Sequence, residues 1–323
     1  MKDWVVAILS AGQGKRMKTD RPKVLHPLVD RPILYYIFEA VSSITNNIYI
    51  VISPKLYNVL YDKINVNFVV QDEPLGTGDA VKRLLPYLKE FNGNILVLPG
   101  DVPLIKKETL ERLCLIHEKE NNACTILTTV VDNPSGYGRI VRDEKGNIVK
   151  IVEDKDATLE EKNIKEINTA IYAFDWNKLK EVLPYLNNNN AQKEYYLPDA
   201  LSLLLKRGEK VNSLTVENWE VLGVNSQKEL ANLHKVFTGK INEKWMDAGV
   251  TIISPDTVTI GKDVLLENDV IIYPNSVMLG RIIIKKGSVV GYNVYIKNYT
   301  IGEKVEIGPN SFISCNKSKE EGD

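Results

Sequence analysis

The run LSAGQGKRM at residues 9–17 holds residue types suited to phosphate chemistry: the glycines Gly12 and Gly14 beside the cations Lys15 and Arg16. Glycine lets a backbone approach phosphate oxygens closely and turn its N–H groups toward them. On glycine content alone, a plain tight turn is an even alternative. Two commoner cradles are excluded. A Walker A loop needs glycine at position 9 and serine or threonine at 16, where Leu9 and Arg16 stand; a dinucleotide GxGxxG needs glycine at 17, where Met17 stands. The loop is therefore a different nucleotide cradle, with Arg16 and, in the RPKVLHPL that follows, Lys23 supplying charge.

Such a loop needs a strand before it. Residues 4–9, WVVAIL, read as a buried first strand, and further apolar runs lie at 48–53, 67–71, 95–101 and 124–131. Their near-continuous Val/Ile/Leu content suits strands covered on both faces. Helical candidates lie between them at 32–43, 78–91 and 107–121. The alternation predicts an α/β, doubly wound, mostly parallel sheet over residues 1–225, with the ligand crevice outside the carboxyl ends of the strands. Ser226 and Glu229 form a capping box ahead of Leu230, Leu233, Phe237, Ile241 and Trp245, predicting one connecting helix over 226–249 that ends near Gly249. From Val258 the sequence repeats every six residues (VTIGKD, VLLEND, VIIYPN, SVMLGR, IIIKKG, SVVGYN, VYIKNY), which predicts a short parallel β-helix within 250–315. The polar tail at 316–323 reads as disordered.

Composition sets limits. With 44% hydrophobic and 26% charged residues this is an ordinary globular chain, and 41 Lys plus Arg against 42 Asp plus Glu leave no global field for nucleic acid or an anionic membrane. Cys114, Cys124 and Cys315 are far apart and in no CxxC spacing, which fits a reducing compartment. No apolar run approaches the roughly 20 residues of a membrane helix. A cytoplasmic location is expected. His26, His117 and His234 are scattered, so zinc chemistry has little support.

The motifs as a set resemble one family. LSAGQGKRM followed by RPKVLHPL is similar to the LxxGxGxRM and PKxL signature of sugar-1-phosphate nucleotidyltransferases. QDEPLGTGDAV, PGDVPLI, NPSGYGRIV, IVEDKDAT and EINTAIY then follow in the order of the uridylyltransferase half of N-acetylglucosamine-1-phosphate uridylyltransferases. The resemblance covers residues 4–315. It implies a left-handed β-helix, a homotrimer formed through it, the substrates UTP and N-acetylglucosamine-1-phosphate, and Mg2+ as cofactor.

It also implies roles. Arg16 would clamp the leaving phosphates and Lys23 would touch the α-phosphate in flight, since two anions must be brought together. Asp101, expected to close a strand, would hold Mg2+ with the amide oxygen of Asn225. The backbone around Leu9 and Ala11, the cradle glycines Gly12 and Gly14, the amide of Gln71, and Gly76 with Thr77 would bind the nucleotide. Gly138, Glu153 and Asn168 would bind the sugar. Tyr195 and Tyr196 either border the sugar pocket or pack in the core.

The chain departs from the pattern at Ser10, where alanine is usual, and at Pro99, near the sugar. Bifunctional relatives continue their β-helix into an acetyl-coenzyme A site. No histidine lies between Val258 and Asp323, so uridylyl transfer without acetyl transfer is expected. Transfer to another sugar, such as glucose-1-phosphate with UTP or dTTP, and a non-catalytic sugar-nucleotide sensor are the alternatives.

Overall fold

The computed structural model describes residues 3–12 and 14–315, so the expected disorder of 316–323 lies outside the described residues. Two compact units emerge. One comprises the described residues within 1–26 and 33–225; the other comprises those within 27–32 and 226–315.

The first unit is built on one large sheet. Its main path runs Val211–Thr215, Cys124–Val130, Glu166–Asp175, Gly93–Pro99, Asp3–Ser10, Ile48–Ile52, Asn67–Val70. All strands on that path run one way except Glu166–Asp175, which is antiparallel to both neighbours. Val5, Val6, Ala7 and Ile8 are fully buried, as a strand covered on both faces requires. The chain leaves Asp3–Ser10 toward Ile48–Ile52 on one side and returns on the other as Gly93–Pro99. That reversal is a topological switch point, where open α/β sheets place their ligands.

Three differences from the sequence expectation have local causes. The helix expected over 78–91 spans only Thr77–Lys82. Pro86 lies four residues past Lys82, where its ring would collide with the Lys82 carbonyl, and the chain goes on through tighter turns such as Leu85 N–H to Lys82 C=O at 3.1 Å. Asp101 does not close a strand but lies in the turn after Gly93–Pro99. The sheet also holds strands that the apolar runs did not suggest: Glu166–Asp175, Val211–Thr215, and a hairpin of Arg139–Arg142 with Ile148–Val152 attached to Glu166–Asp175.

In the second unit, Ser226 caps the helix Gln227–Asp247 by accepting from the Glu229 N–H at 3.2 Å. The helix ends as Gly249 takes φ 89° and Val250 N–H returns to the Trp245 carbonyl at 3.0 Å. Trp245 packs on the parallel coils that follow, whose core holds Val258, Ile260, Val264, Met278, Ile284 and Ile296. Strand partners such as Val264↔Ile282 and Val277↔Tyr295 are 18 residues apart, which is three hexads. The last coil steps by 17 instead, as in Ile283↔Thr300 and Tyr295↔Phe312, because one residue is missing from the repeat near Asn298.

Candidate active site

Loops leaving the carboxyl ends of Asp3–Ser10 and Gly93–Pro99 open a cleft of about 890 Å³ in the first unit. It has three parts, which are built differently and take their names from the ligand group expected at each: phosphate, base and sugar.

At the phosphate end, Gly14 sits in the left-handed region (φ 58°, ψ 28°) and starts the short turn Lys15–Met17. A Cβ on Gly14 would lie 3.2 Å from the Lys23 Cβ, so the glycine lets the Arg16 turn and Lys23 sit side by side. Met17 is buried and anchors the turn, while Arg16 is exposed in the cleft wall. Gly12 has open space where a side chain would be. Across the cleft, Gly100 N–H donates to the Leu9 carbonyl at 2.9 Å and turns the chain to present Asp101. The Ser10 hydroxyl, buried and without a partner among the described residues, packs where a side chain at Gly100 would go.

Lys23 Nζ donates to Asp101 Oδ2 at 2.5 Å and to Asn225 Oδ1 at 3.2 Å. Two hard oxygens therefore converge on one cation. Asn225 is brought there by Val224, whose N–H donates to the Asp101 carbonyl at 3.2 Å. This donor set fits Mg2+, which takes oxygen ligands, keeps several waters and needs few protein groups. No group of three or more His, Cys, Asp or Glu side chains suited to a metal exists among the described residues.

On the base side, Gln71 is buried, and its Nε2 donates to Asp79 Oδ2 at 2.7 Å and to the Gly76 carbonyl at 3.3 Å. Those bonds fix the amide orientation and leave Oε1 as its acceptor end. Gly76 takes φ 110°, and a Cβ there would meet the Tyr195 backbone nitrogen at 2.9 Å. Thr77 Oγ1 accepts from Leu197 N–H at 3.1 Å. Gly76 and Thr77 thus line the cleft and also stitch it to the segment Tyr195–Leu197. Ala11 is the first residue past its strand.

The sugar end gathers Gly138, Glu153 and Asn168. A Cβ on Gly138 would lie 3.2 Å from Glu153 Oε1 and 3.4 Å from the Asn168 Cβ. Asn168 begins a bulge in Glu166–Asp175, with Ala170 at φ 61°. Its amide is held from both sides: Oδ1 accepts from Ala170 N–H at 3.0 Å, and Nδ2 donates to the Tyr172 hydroxyl at 2.7 Å. One N–H remains for a ligand. Burial pushes the Glu153 carboxyl up to about 7, helped by the negative charges of Asp156, Asp199, Asp154 and Glu194. The fully buried Arg139 binds Asp154 at 2.8 Å and the Tyr137 carbonyl, tying the Gly138 loop to the residue after Glu153.

Tyr196 lines this end and accepts from Gln192 Nε2 at 2.9 Å; Tyr195 packs against the core instead. Pro99 is part of the cleft wall. His117 is structural, with Nδ1 3.0 Å from Thr125 Oγ1 and its ring against Trp4. Tyr172 and Arg139 went unnoticed in the sequence. A buried arginine looks like any surface charge there, though its place beside Gly138 in GYGR was a signal within reach.

The chain is similar to known proteins over most of its length. The nucleotidyl transferase family profile matches residues 5–251. The bifunctional protein GlmU of Clostridium acetobutylicum is 42% identical over 325 residues, covering 95% of this chain and 71% of its own length. The GlmU of Carboxydothermus hydrogenoformans is 44% identical over 305 residues, covering 93% of this chain and 68% of its own. That of Caldanaerobacter subterraneus is 42% identical over 317 residues, covering 97% and 65%. The chain belongs to the nucleotidyl transferase family and, within it, to the GlmU type of N-acetylglucosamine-1-phosphate uridylyltransferases, and is a sugar-1-phosphate nucleotidyltransferase.

Proposed function

We propose that the cleft transfers a uridylyl group from UTP to N-acetylglucosamine-1-phosphate, with Mg2+ held by Asp101 and Asn225. The observation that carries this reading is the convergence of Lys23, Asp101 and Asn225 at one end of a cleft whose other end holds Gly138, Glu153 and Asn168. A phosphate oxygen of the sugar phosphate attacks the α-phosphorus of UTP. A new P–O bond forms there, the bond to the β-phosphate bridging oxygen breaks, and pyrophosphate leaves with that electron pair. No proton has to move.

The protein's part is positioning and charge. Arg16 and the N–H groups of the glycine loop hold the leaving phosphates, and Lys23, once free of Asp101, offsets charge on the α-phosphate oxygens. Bound Mg2+ would neutralise phosphate charge and orient the phosphates. Gln71 Oε1 suits the uracil N3–H, and backbone groups near Leu9 and Ala11 meet its carbonyls. Glu153 accepts from a sugar hydroxyl, and the remaining Asn168 N–H donates to a hydroxyl or the acetamido oxygen.

Residues 258–323 contain no histidine, so no acetyl-transfer base is assigned among them, and uridylyl transfer is the reaction proposed for the cleft. A homotrimer through the β-helix is supported by its apolar outer face, where Tyr295 and Phe312 stack at 4.9 Å and Phe312 is 74% exposed. Three free cysteines favour the cytoplasm, and no described helix is long and apolar enough to cross a membrane. The test is turnover over a matrix of four nucleoside triphosphates and several sugar-1-phosphates, with and without acetyl-coenzyme A. UTP with N-acetylglucosamine-1-phosphate should exceed every other pair, and a higher kcat/KM for glucose-1-phosphate would overturn the sugar assignment.

A further inference from the structure

The stretch from Val216 to Asn225 has little regular structure, a single short turn at Asn218–Val221, yet it must deliver Asn225 opposite Asp101. Its start is fixed to the sheet. Val216 N–H donates to the Thr128 carbonyl at 2.9 Å, and the Val216 carbonyl accepts from Thr129 Oγ1 at 2.7 Å. Its far end is tied by Val224 to the Asp101 carbonyl.

Between those ties stands Glu220, an acid only 5% exposed. Glu220 Oε2 accepts from Thr109 Oγ1 at 2.6 Å, and Oε1 lies 3.4 Å from Lys106 Nζ. That ammonium also sits 4.6 Å from the centre of the Trp219 ring, which adds a cation–π contact to the same joint. Lys106 is the N-cap of the helix Lys107–Lys119 and makes no side-chain cap bond; Thr109 is in its first turn. Glu220 therefore adds, from a distant part of the chain, a second carboxylate at a helix start whose first turn already carries Glu108. The chain between Asp101 and Lys106 leads directly into this helix. The segment carrying Asp101 and the segment carrying Asn225 are thus joined twice, at Asp101–Val224 and at Lys106/Thr109–Glu220. Packing alone would not call for a buried carboxylate, because an apolar side chain would avoid its desolvation cost.

We propose that Glu220 is a positioning residue for the divalent cation, holding the Asn225 oxygen at the right distance from the Asp101 carboxylate. This rests on the cation site proposed above. The probe is Mn2+ alone, titrated into the full chain and followed by the EPR signal of the free ion. It is paired with the Mg2+ concentration that half-saturates turnover. Glu220→Ala should weaken Mn2+ binding and raise the Mg2+ requirement by roughly 10- to 100-fold, the range for loss of an outer-shell support. KM for the sugar phosphate should stay near that of the parent. Thr109→Val should shift metal binding the same way by less, and Glu220→Gln, which keeps an acceptor for Thr109, should recover most of it.

Variants that lose thermal stability but keep the parent Mn2+ affinity, or that lose affinity for metal and sugar phosphate alike, would assign Glu220 a structural role only. If Glu220→Ala does not fold, Glu220→Gln and Thr109→Val decide by the same criterion. Asp101→Asn separates the two ideas. Mn2+ binding that survives it refutes the cation site itself; binding lost there but intact in the Glu220 and Thr109 variants refutes only this inference.

Discussion

At the phosphate end of the cleft, Lys23 opens the short turn Lys23–Leu25, Asp101 lies in the turn after Gly93–Pro99 and Asn225 ends the irregular stretch 216–225, and charge links them directly. At the sugar end, Gly138, Glu153 and Asn168 stand on a hairpin and a bulged strand, held by neutral hydrogen bonds and a buried arginine. The first set meets through ionic contacts for which an incoming charge would compete; in the second, Asn168 and the arginine behind Gly138 already have their polar partners within the fold. On the proposed assignment, the first set serves a phosphate that changes position during transfer and the second a sugar ring that only has to be recognised.

The sharpest way to break the comparison is at Lys23. Lys23→Ala should lower kcat by about 10²- to 10³-fold, the usual cost of one group that stabilises transition-state charge. Affinity for the sugar-1-phosphate, measured by calorimetry, should change little. A comparable loss in sugar affinity would mean that the two ends are not separable.

Glu153 gives an intermediate effect, read by pH. Its carboxyl titrates near 7 in the fold, against an ordinary value of 4.5. As pH rises through 7 the group becomes a charged acceptor, so affinity for the UDP-sugar product, whose diphosphate does not titrate in that range, should increase. Glu153→Gln should flatten the profile. Stability must move the opposite way. Between 4.5 and 7 the folded state holds a proton that the unfolded state has lost, so stability falls with rising pH, and the penalty is complete above 7. Glu153→Gln should therefore raise the melting temperature at pH 8.5 more than at pH 4.5. Equal gains at both would remove the shift.

The smallest effect is expected at Tyr172. Tyr172→Phe leaves Asn168 Nδ2 without its acceptor, which costs about 1 kcal/mol, or roughly fivefold in sugar affinity. The Mg2+ requirement should not move.

The same contrast governs what could be read from the sequence. The loop at 9–17 follows an unbroken apolar strand, and the hexads repeat in the sequence itself, so both announced their structures. The cause of each is local. The sugar end is different: EINTAIYAFD breaks strand alternation at its bulge, and its Asn168–Tyr172 bond forms only when the chain folds back on itself. Glu220 is 111 residues from Thr109, a separation at which no spacing rule applies. Only the motif resemblance pointed to Glu153; its unusual titration arises from Asp156, Asp199, Asp154 and Glu194 gathered by the fold.

The contact of Lys23 with Asp101 and Asn225 has one more consequence. The two oxygens are already partly neutralised by a cation that belongs to the chain itself. A metal taking the site proposed for Mg2+ would have to compete with that ammonium, so its apparent affinity would carry the cost of moving the lysine, and an anion able to receive the lysine would lower that cost. Metal and phosphate would then load as linked partners, like the two ions of one salt on a resin that carries its own counter-ion.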